Sequence, residues 1–132
     1  MERLILDTGA LIALERGRAN ASDVLPDDAD VAISAVTVSE LLLGVELADA
    51  AYREARRELV EGVIERVEVL AFDLEVARHR AALLAHTRRI GQPRGAHGIQ
   101  IAATASATAR TVVTTDPTAF DGLPGVARRL IS

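Results

Sequence analysis

Apolar and polar positions run along this chain in two rhythms, and the switches between them predict the elements. Residues 3–6 (RLIL) are a short apolar run ending at Asp7, the pattern of a strand buried on both faces. TGALIALERG comes next with helical character, and Gly17 is placed to stop it. NASDVLPD (20–27) predicts a short second helix broken at Pro26. DADVAISA (28–35) reads as a strand, and VTVSELLLGVELA (36–48) as a helix that is apolar on most sides. AYREARRELVEGVIERV (51–67) is amphipathic, with Tyr52, Ala55, Leu59 and Val63 in one stripe. VEVLAF (67–72) is a third strand, and Asp73 is an N-cap for a helix over 74–90 with Ala77, Ala81 and Leu84 on one face. GQPRGAHG (91–98) is a loop by its Gly and Pro content. IQIAATASATA (99–109) is a helix of small apolar residues opened by Gly98, TVVTT (111–115) is a strand ending at Asp116, and GVARRLI (125–131) adds a last strand.

Strands alternate with helices throughout, which predicts an α/β fold with a parallel sheet and helices on both faces. The chain has 132 residues and no internal repeat or linker, so one domain over 1–132 is expected. In open sheets of this kind the site lies at the carboxyl ends of the strands. Asp7 and Asp116 both end strands there. Glu40 lies early in the helix after the second strand, and Gly98 stands where the last long helix begins. Three acids and one glycine therefore converge from four segments.

Composition narrows the chemistry. There is no Cys, which excludes disulfides, Cys-zinc sites and Cys nucleophiles. All 15 basic residues are Arg. With no Lys, a Walker-type phosphate loop and Schiff-base chemistry are excluded. The net charge of −4 speaks against a passive nucleic-acid coat. The apolar run at the start is too short for a signal peptide and no stretch is long enough to span a bilayer, so a cytoplasmic protein without membrane attachment is expected.

Two like charges about 4 Å apart repel by roughly 4 kcal/mol at an effective dielectric of about 20. Carboxylates gathered at one edge therefore call for protonation or for a cation. Ligands that are all oxygen favour Mg²⁺ or Mn²⁺, and an ion of that kind serves phosphodiester hydrolysis. Each acid also has a plainer role beside this one. Asp7 can cap the helix starting at Thr8, Asp116 can initiate a turn before Pro117, and Glu40 can face a helix dipole.

The blocks LDTGALIAL, VTVSELLLGV (36–45), IAATASATARTVVTTD (101–116) and AFDGLPGV, taken in this order, resemble PIN-domain ribonucleases, most of all the VapC-type toxins of bacterial toxin–antitoxin pairs. The resemblance implies a PIN-like three-layer α/β/α fold with a central parallel sheet of four to five strands. It also implies an endoribonuclease that uses Mg²⁺ or Mn²⁺. By matched motif its acids fall on Asp7, with the hydroxyl of Thr8 beside it, on Glu40, and on Asp116 after Thr114 and Thr115. Asp7, Glu40 and Asp116 are the implied metal ligands. The implied partners are an RNA substrate, a second copy of the chain, and a VapB-type antitoxin segment in a helix-lined groove with an Arg reaching the acids.

The third acid of that pattern departs. Where the family resembles Gly-Ala-His-Asp, this chain reads GAHG, and Gly98 takes the place of the acid. Mg²⁺ binds through few protein ligands, so the loss of one should weaken it greatly. His97, next door, is a poor Mg²⁺ ligand. Three explanations stand together: a disarming substitution, a degenerate member of the family, or a site that works with three acids. A backbone role for Gly98, as a tight start to the helix, is a fourth.

Other readings compete. DTGA is also an aspartic-protease signature, but those proteins are β-rich. A phospho-accepting receiver has a similar sheet but normally carries a Lys. An inactive PIN-type binding module, holding an antitoxin or RNA, is favoured by Gly98 and by the apolar Leu41, Leu42 and Leu43. Arg88, Arg89 and Arg94 precede the site and can contact RNA phosphates, and a solvated helix end with favourable dipole sense accounts for Arg88 and Arg89 at least as well. His79 and His86 read as surface residues.

Overall fold

The computed structural model describes residues 1–17, 20 and 24–132. Five strands form one parallel sheet: β1 (Arg3–Leu6), β2 (Asp30–Ser34), β3 (Glu68–Leu70), β4 (Thr111–Thr114) and β5 (Arg128–Leu130), in spatial order β3-β2-β1-β4-β5. The described helices are α1 (Thr8–Glu15), α2 (Ala35–Glu46), α3 (Ala50–Arg66), α4 (Leu74–Arg89) and α5 (Ala96–Ala107). The short helix expected over 20–27 lies partly outside the described residues, which omit 21–23.

Strand periodicity builds the three layers. Leu4 and Leu6 point to one face and pack with Ala10, Leu11, Ile33, Val63 and Val113. Ile5, between them, points to the other and packs with Val76, Leu83, Ile99, Val112 and Phe120. Thus α1 and α3 cover one side of the sheet and α4 and α5 the other. The small residues of α5 let it sit close, with Ala102, Ala103 and Ala105 fully buried.

The order of strands reverses beside β1. From β1 the chain moves outward to β2 and β3, then returns to β4 on the other side. The carboxyl ends of β1 and β4 flank that switch point, where open α/β sheets hold their ligands. At the opposite edge the sheet is tied by Arg110, only 5% exposed. Its Nη1 donates to the carbonyls of Leu4 and Asp30 at 3.1 and 2.9 Å and to Asp30 Oδ1 at 3.0 Å. Nη2 reaches Glu68 Oε2 at 3.5 Å.

Gly17 does end α1, with φ of 68° and its N–H donating to the Leu14 carbonyl. Asp73 caps α4 through Val76 N at 3.0 Å. Two helix faces differ from the sequence reading. In α3 the inward residues are Val60 and Val63, while Tyr52, Ala55 and Leu59 are exposed. The first ten residues of α3 bury little, so their apolar stripe has no core to meet. In α4 the buried face is Val76, Leu83 and Thr87, and Ala81 is exposed. Alanine patterns in so Ala-rich a helix do not fix its rotation; the larger side chains do.

The start of α5 also moves. The loop ends at Gly95, which is the N-cap, and Ala96, His97 and Gly98 form the first turn. Gly98 is therefore inside the helix. No described helix is long and apolar enough to cross a membrane.

Candidate active site

Asp7 comes directly after β1, and strand pairing carries on to it: its N–H donates to the Val113 carbonyl at 3.1 Å. Its side chain then caps α1, with Oδ1 accepting from Ala10 N at 2.8 Å. Cap and strand end together leave Asp7 only 8% exposed. Burial pushes its carboxyl above the usual range; hydrogen bonds from Thr114 and Ala10 oppose this, and the negative charges of Asp116 and Glu40 add to it. Asp116 and Glu40 thus both lie within electrostatic reach of Asp7.

Glu40 sits in the second turn of α2, half-buried, with both oxygens engaged. Oε1 accepts from Thr8 Oγ1 at 2.9 Å, and Oε2 lies 3.3 Å from His97 Nδ1. Thr8 Oγ1 is also 3.4 Å from Thr37 Oγ1. The chain Thr8–Glu40–His97 therefore links α1, α2 and α5 across the carboxyl edge of the sheet.

Asp116 is exposed and bound to its own turn. Its Oδ1 accepts from Thr118 N at 2.9 Å, Thr118 Oγ1 at 3.0 Å and Ala119 N at 3.1 Å. Those bonds, led by the Thr118 N–H, hold its carboxyl below the usual range. Its own N–H donates to Thr114 Oγ1 at 3.0 Å. Because β4 ends at Thr114, one residue earlier than the sequence suggests, Thr114 rather than Thr115 joins Asp7 to Asp116. Thr115 instead closes on α1: a Cβ at Gly9 would lie 2.9 Å from Thr115 Oγ1, so only glycine lets these two segments approach so closely.

Gly98, like Gly44 and Gly95, has open space where a side chain would stand. Its φ is not in the left-handed region, unlike that of Gly17, Gly91, Gly122 and Gly125. A Cβ there would meet nothing within 4 Å. The backbone does not need glycine and no neighbour has filled the space. The helix start would welcome an acid, since α5 has no side-chain cap and no acid in its first turn.

A divalent ion of the Mg²⁺ kind requires oxygens that are free to turn toward it. Among the described residues, no three His, Asp or Glu side chains stand together as a ready ion site. Asp7 commits Oδ1 to α1, Glu40 holds Thr8 and His97, and Asp116 commits Oδ1 to its turn. The set does not fit such an ion as it stands, and the open position is Gly98.

Sequence reasoning missed Thr37, Thr114 and His97. Thr114 could not be told from Thr115 without the strand boundary. His97 was visible only as a neighbour of Gly98. Arg94, expected as a phosphate contact, instead has its guanidinium on backbone carbonyls. His79 is half-buried, with Nδ1 3.0 Å from Ser106 Oγ.

Beside Thr8 and Glu40 opens a groove of about 370 Å³ between α1, α2 and α3. Leu11, Ile12, Leu41, Val60 and Val63 line it, and Glu15, Arg16 and Arg56 bring charge to it.

A three-layer domain with carboxylates at the switch point of a five-stranded parallel sheet is the class of protein on view. The family description "PIN domain" matches residues 4–125. The chain is 34% identical over 123 residues to Ribonuclease VapC5 of Mycobacterium tuberculosis, across 93% of this chain and 89% of that protein. It is 36% identical over 94 residues to the tRNA(fMet)-specific endonuclease VapC of Salmonella typhimurium, across 71% and 70% of the two. The solved DNA-bound VapBC from Salmonella typhimurium superposes with a TM-score of 0.86 at 30% identity, over 98% of each chain. The chain belongs to the PIN-domain family, among its VapC-type members.

Proposed function

We propose that this chain is the ribonuclease toxin of a toxin–antitoxin pair, of the Mg²⁺- or Mn²⁺-dependent kind, with its cutting site impaired at Gly98. The reaction is hydrolysis of an RNA phosphodiester. Asp7, Glu40 and Asp116 supply the negative edge, and Thr8 and Thr115 supply hydroxyls beside it. Thr114 holds the two aspartates in register, and Thr8 with His97 fixes the plane of the Glu40 carboxylate.

The observation that carries this reading is the open space at Gly98 taken with its place in the first turn of α5, next to His97 and so beside Glu40. A glycine without a backbone reason lowers helix stability by roughly 0.5–1 kcal/mol relative to Ala. The position instead fits an aspartate that would face the other acids. The test is Gly98→Asp. Calorimetric titration with Mn²⁺ should show at least about tenfold tighter binding by the variant, and RNA cleavage should appear with it. Equal, weak binding by both forms overturns the reading.

A second reading rests on the groove. It is complete whatever residue stands at 98, so the chain can hold an antitoxin segment without cutting RNA. Relatives have been solved as VapBC complexes, which supports an antitoxin partner. Exposed Leu43, Leu47 and Tyr52 leave apolar area for a second copy, consistent with a homodimer. If Gly98→Asp gains neither ion nor cleavage while the unaltered chain still binds its antitoxin, this second reading stands.

A further inference from the structure

Two walls of the acid edge come from distant parts of the fold. One is the first turn of α5, with His97 and position 98. The other is the turn after β4, with Asp116. The whole of α5 and β4 lies between them in sequence. A single guanidinium joins them. Arg94, immediately before the N-cap Gly95, donates from Nη1 to the carbonyls of Thr118 at 3.1 Å and Ala119 at 3.0 Å. Its Nη2 donates to the Asp121 carbonyl at 2.5 Å. The same turn has its N–H groups at Thr118 and Ala119 taken by Asp116 Oδ1. It is capped at its amino end by the acid and at its carbonyl end by Arg94, while Phe120 anchors it in the core.

We propose that Arg94 is a positioning residue for the site: its planar fork sets the distance between the α5 start and Asp116. The proposal rests on the ribonuclease reading above. A fork is needed because three carbonyls in different directions are served by two nitrogens held in one plane, and a lysine ammonium cannot reproduce that arrangement. Arg94 does not act as a phosphate contact, since its donors already face the turn.

The experiment has two arms. In the unaltered chain, Arg94→Lys and Arg94→Met are followed by amide hydrogen exchange. Exchange at Thr118 and Ala119 should accelerate at least about tenfold, while core amides of β1 and β4 keep their protection. In the Gly98→Asp chain, both variants should lower the rate of RNA cleavage by on the order of a hundredfold with KM changed by less than about twofold. A phosphate-contact role predicts the reverse, a raised KM with little change in rate, and overturns the proposal. So does an Arg94→Lys chain that cleaves like its parent, or unchanged exchange at Thr118 and Ala119. If Gly98→Asp itself never cleaves, the ribonuclease reading fails separately, and the exchange arm alone decides whether Arg94 holds the turn.

Discussion

Asp7 and Asp116 end neighbouring strands, and each caps the backbone just beyond it, yet their surroundings are opposite. Asp7 is buried under the α1 start with two other acids in reach, and its carboxyl is pushed up. Asp116 stands in the open, accepts three hydrogen bonds from its own turn, and its carboxyl is pulled down. The pattern of an aspartate after an apolar strand therefore carries two meanings. One residue is held at a cost to the fold. The other would be content in any protein. That cost is what sets Asp7 apart from Asp116.

The largest effect that can break this contrast is catalytic. In the Gly98→Asp chain, Asp7→Asn should lower single-turnover RNA cleavage by about a thousandfold or more, and Asp116→Asn by about ten- to a hundredfold. Equal losses would erase the distinction.

Next comes stability. Asn at position 7 keeps the acceptor for Ala10 N and removes the buried charge. Asp7→Asn should raise the melting midpoint at pH 7 by about 2–6 °C. Asp116→Ala should lower it, because three donors lose their partner. Thermal unfolding of the two variants beside the parent checks both signs.

The pH dependence sharpens the same point. Folding raises the Asp7 pKa, so the native state holds that proton more tightly than the unfolded chain does. Ionised Asp7 therefore destabilises the fold. The penalty is absent below the ordinary value of 3.8 and fully present once pH has risen through the higher folded value. The advantage of Asp7→Asn should vanish as the solution is acidified across that window. Asp116 runs the other way: its contribution is present above 3.8 and is lost as pH falls through its lowered folded value. A variant series melted from neutral to acid pH should show two opposite slopes.

The smallest effect tests how closely the two strand ends meet. Gly9→Ala places a Cβ 2.9 Å from Thr115 Oγ1. It should destabilise by about 1–2 kcal/mol, most of it recovered by adding Thr115→Ala. Denaturant unfolding of both single variants and the double variant measures that coupling.

Much of the fold was legible in the chain itself. Apolar runs bounded by Asp7 and Asp116 located the strands, because strands buried on both faces leave no polar interruption. Alternation with helices specified the parallel sheet and therefore the shared edge. The rotation of α4 was not legible, because its many Ala positions give a helix no single preferred face, and the stripe of α3 misled because its first ten residues meet no core. The start of α5 was misplaced at Gly98, because Gly95 and Gly98 look alike as punctuation. Only the backbone separates the two: Gly95 is the N-cap, with ψ of 144°, and Gly98 lies inside the helix. The roles of Arg94 and Thr114 depend on turns whose geometry no short motif encodes.

The tie at the far edge of the sheet bears on how the protein is made. β1 is first in the chain but central in space, and Arg110 reaches back across 106 residues to the Leu4 carbonyl. In chain order, the strand bearing Asp7 comes first, its β2 partner follows, and its β4 partner comes last. Its second flank closes only when residues 111–114 pair with it, and Asp116 follows just behind them. The acid edge is therefore incomplete until β4 has paired, whatever the speed of synthesis. The groove between α1, α2 and α3 is lined by none of those later residues, so a partner for the groove need not wait for the edge beside it.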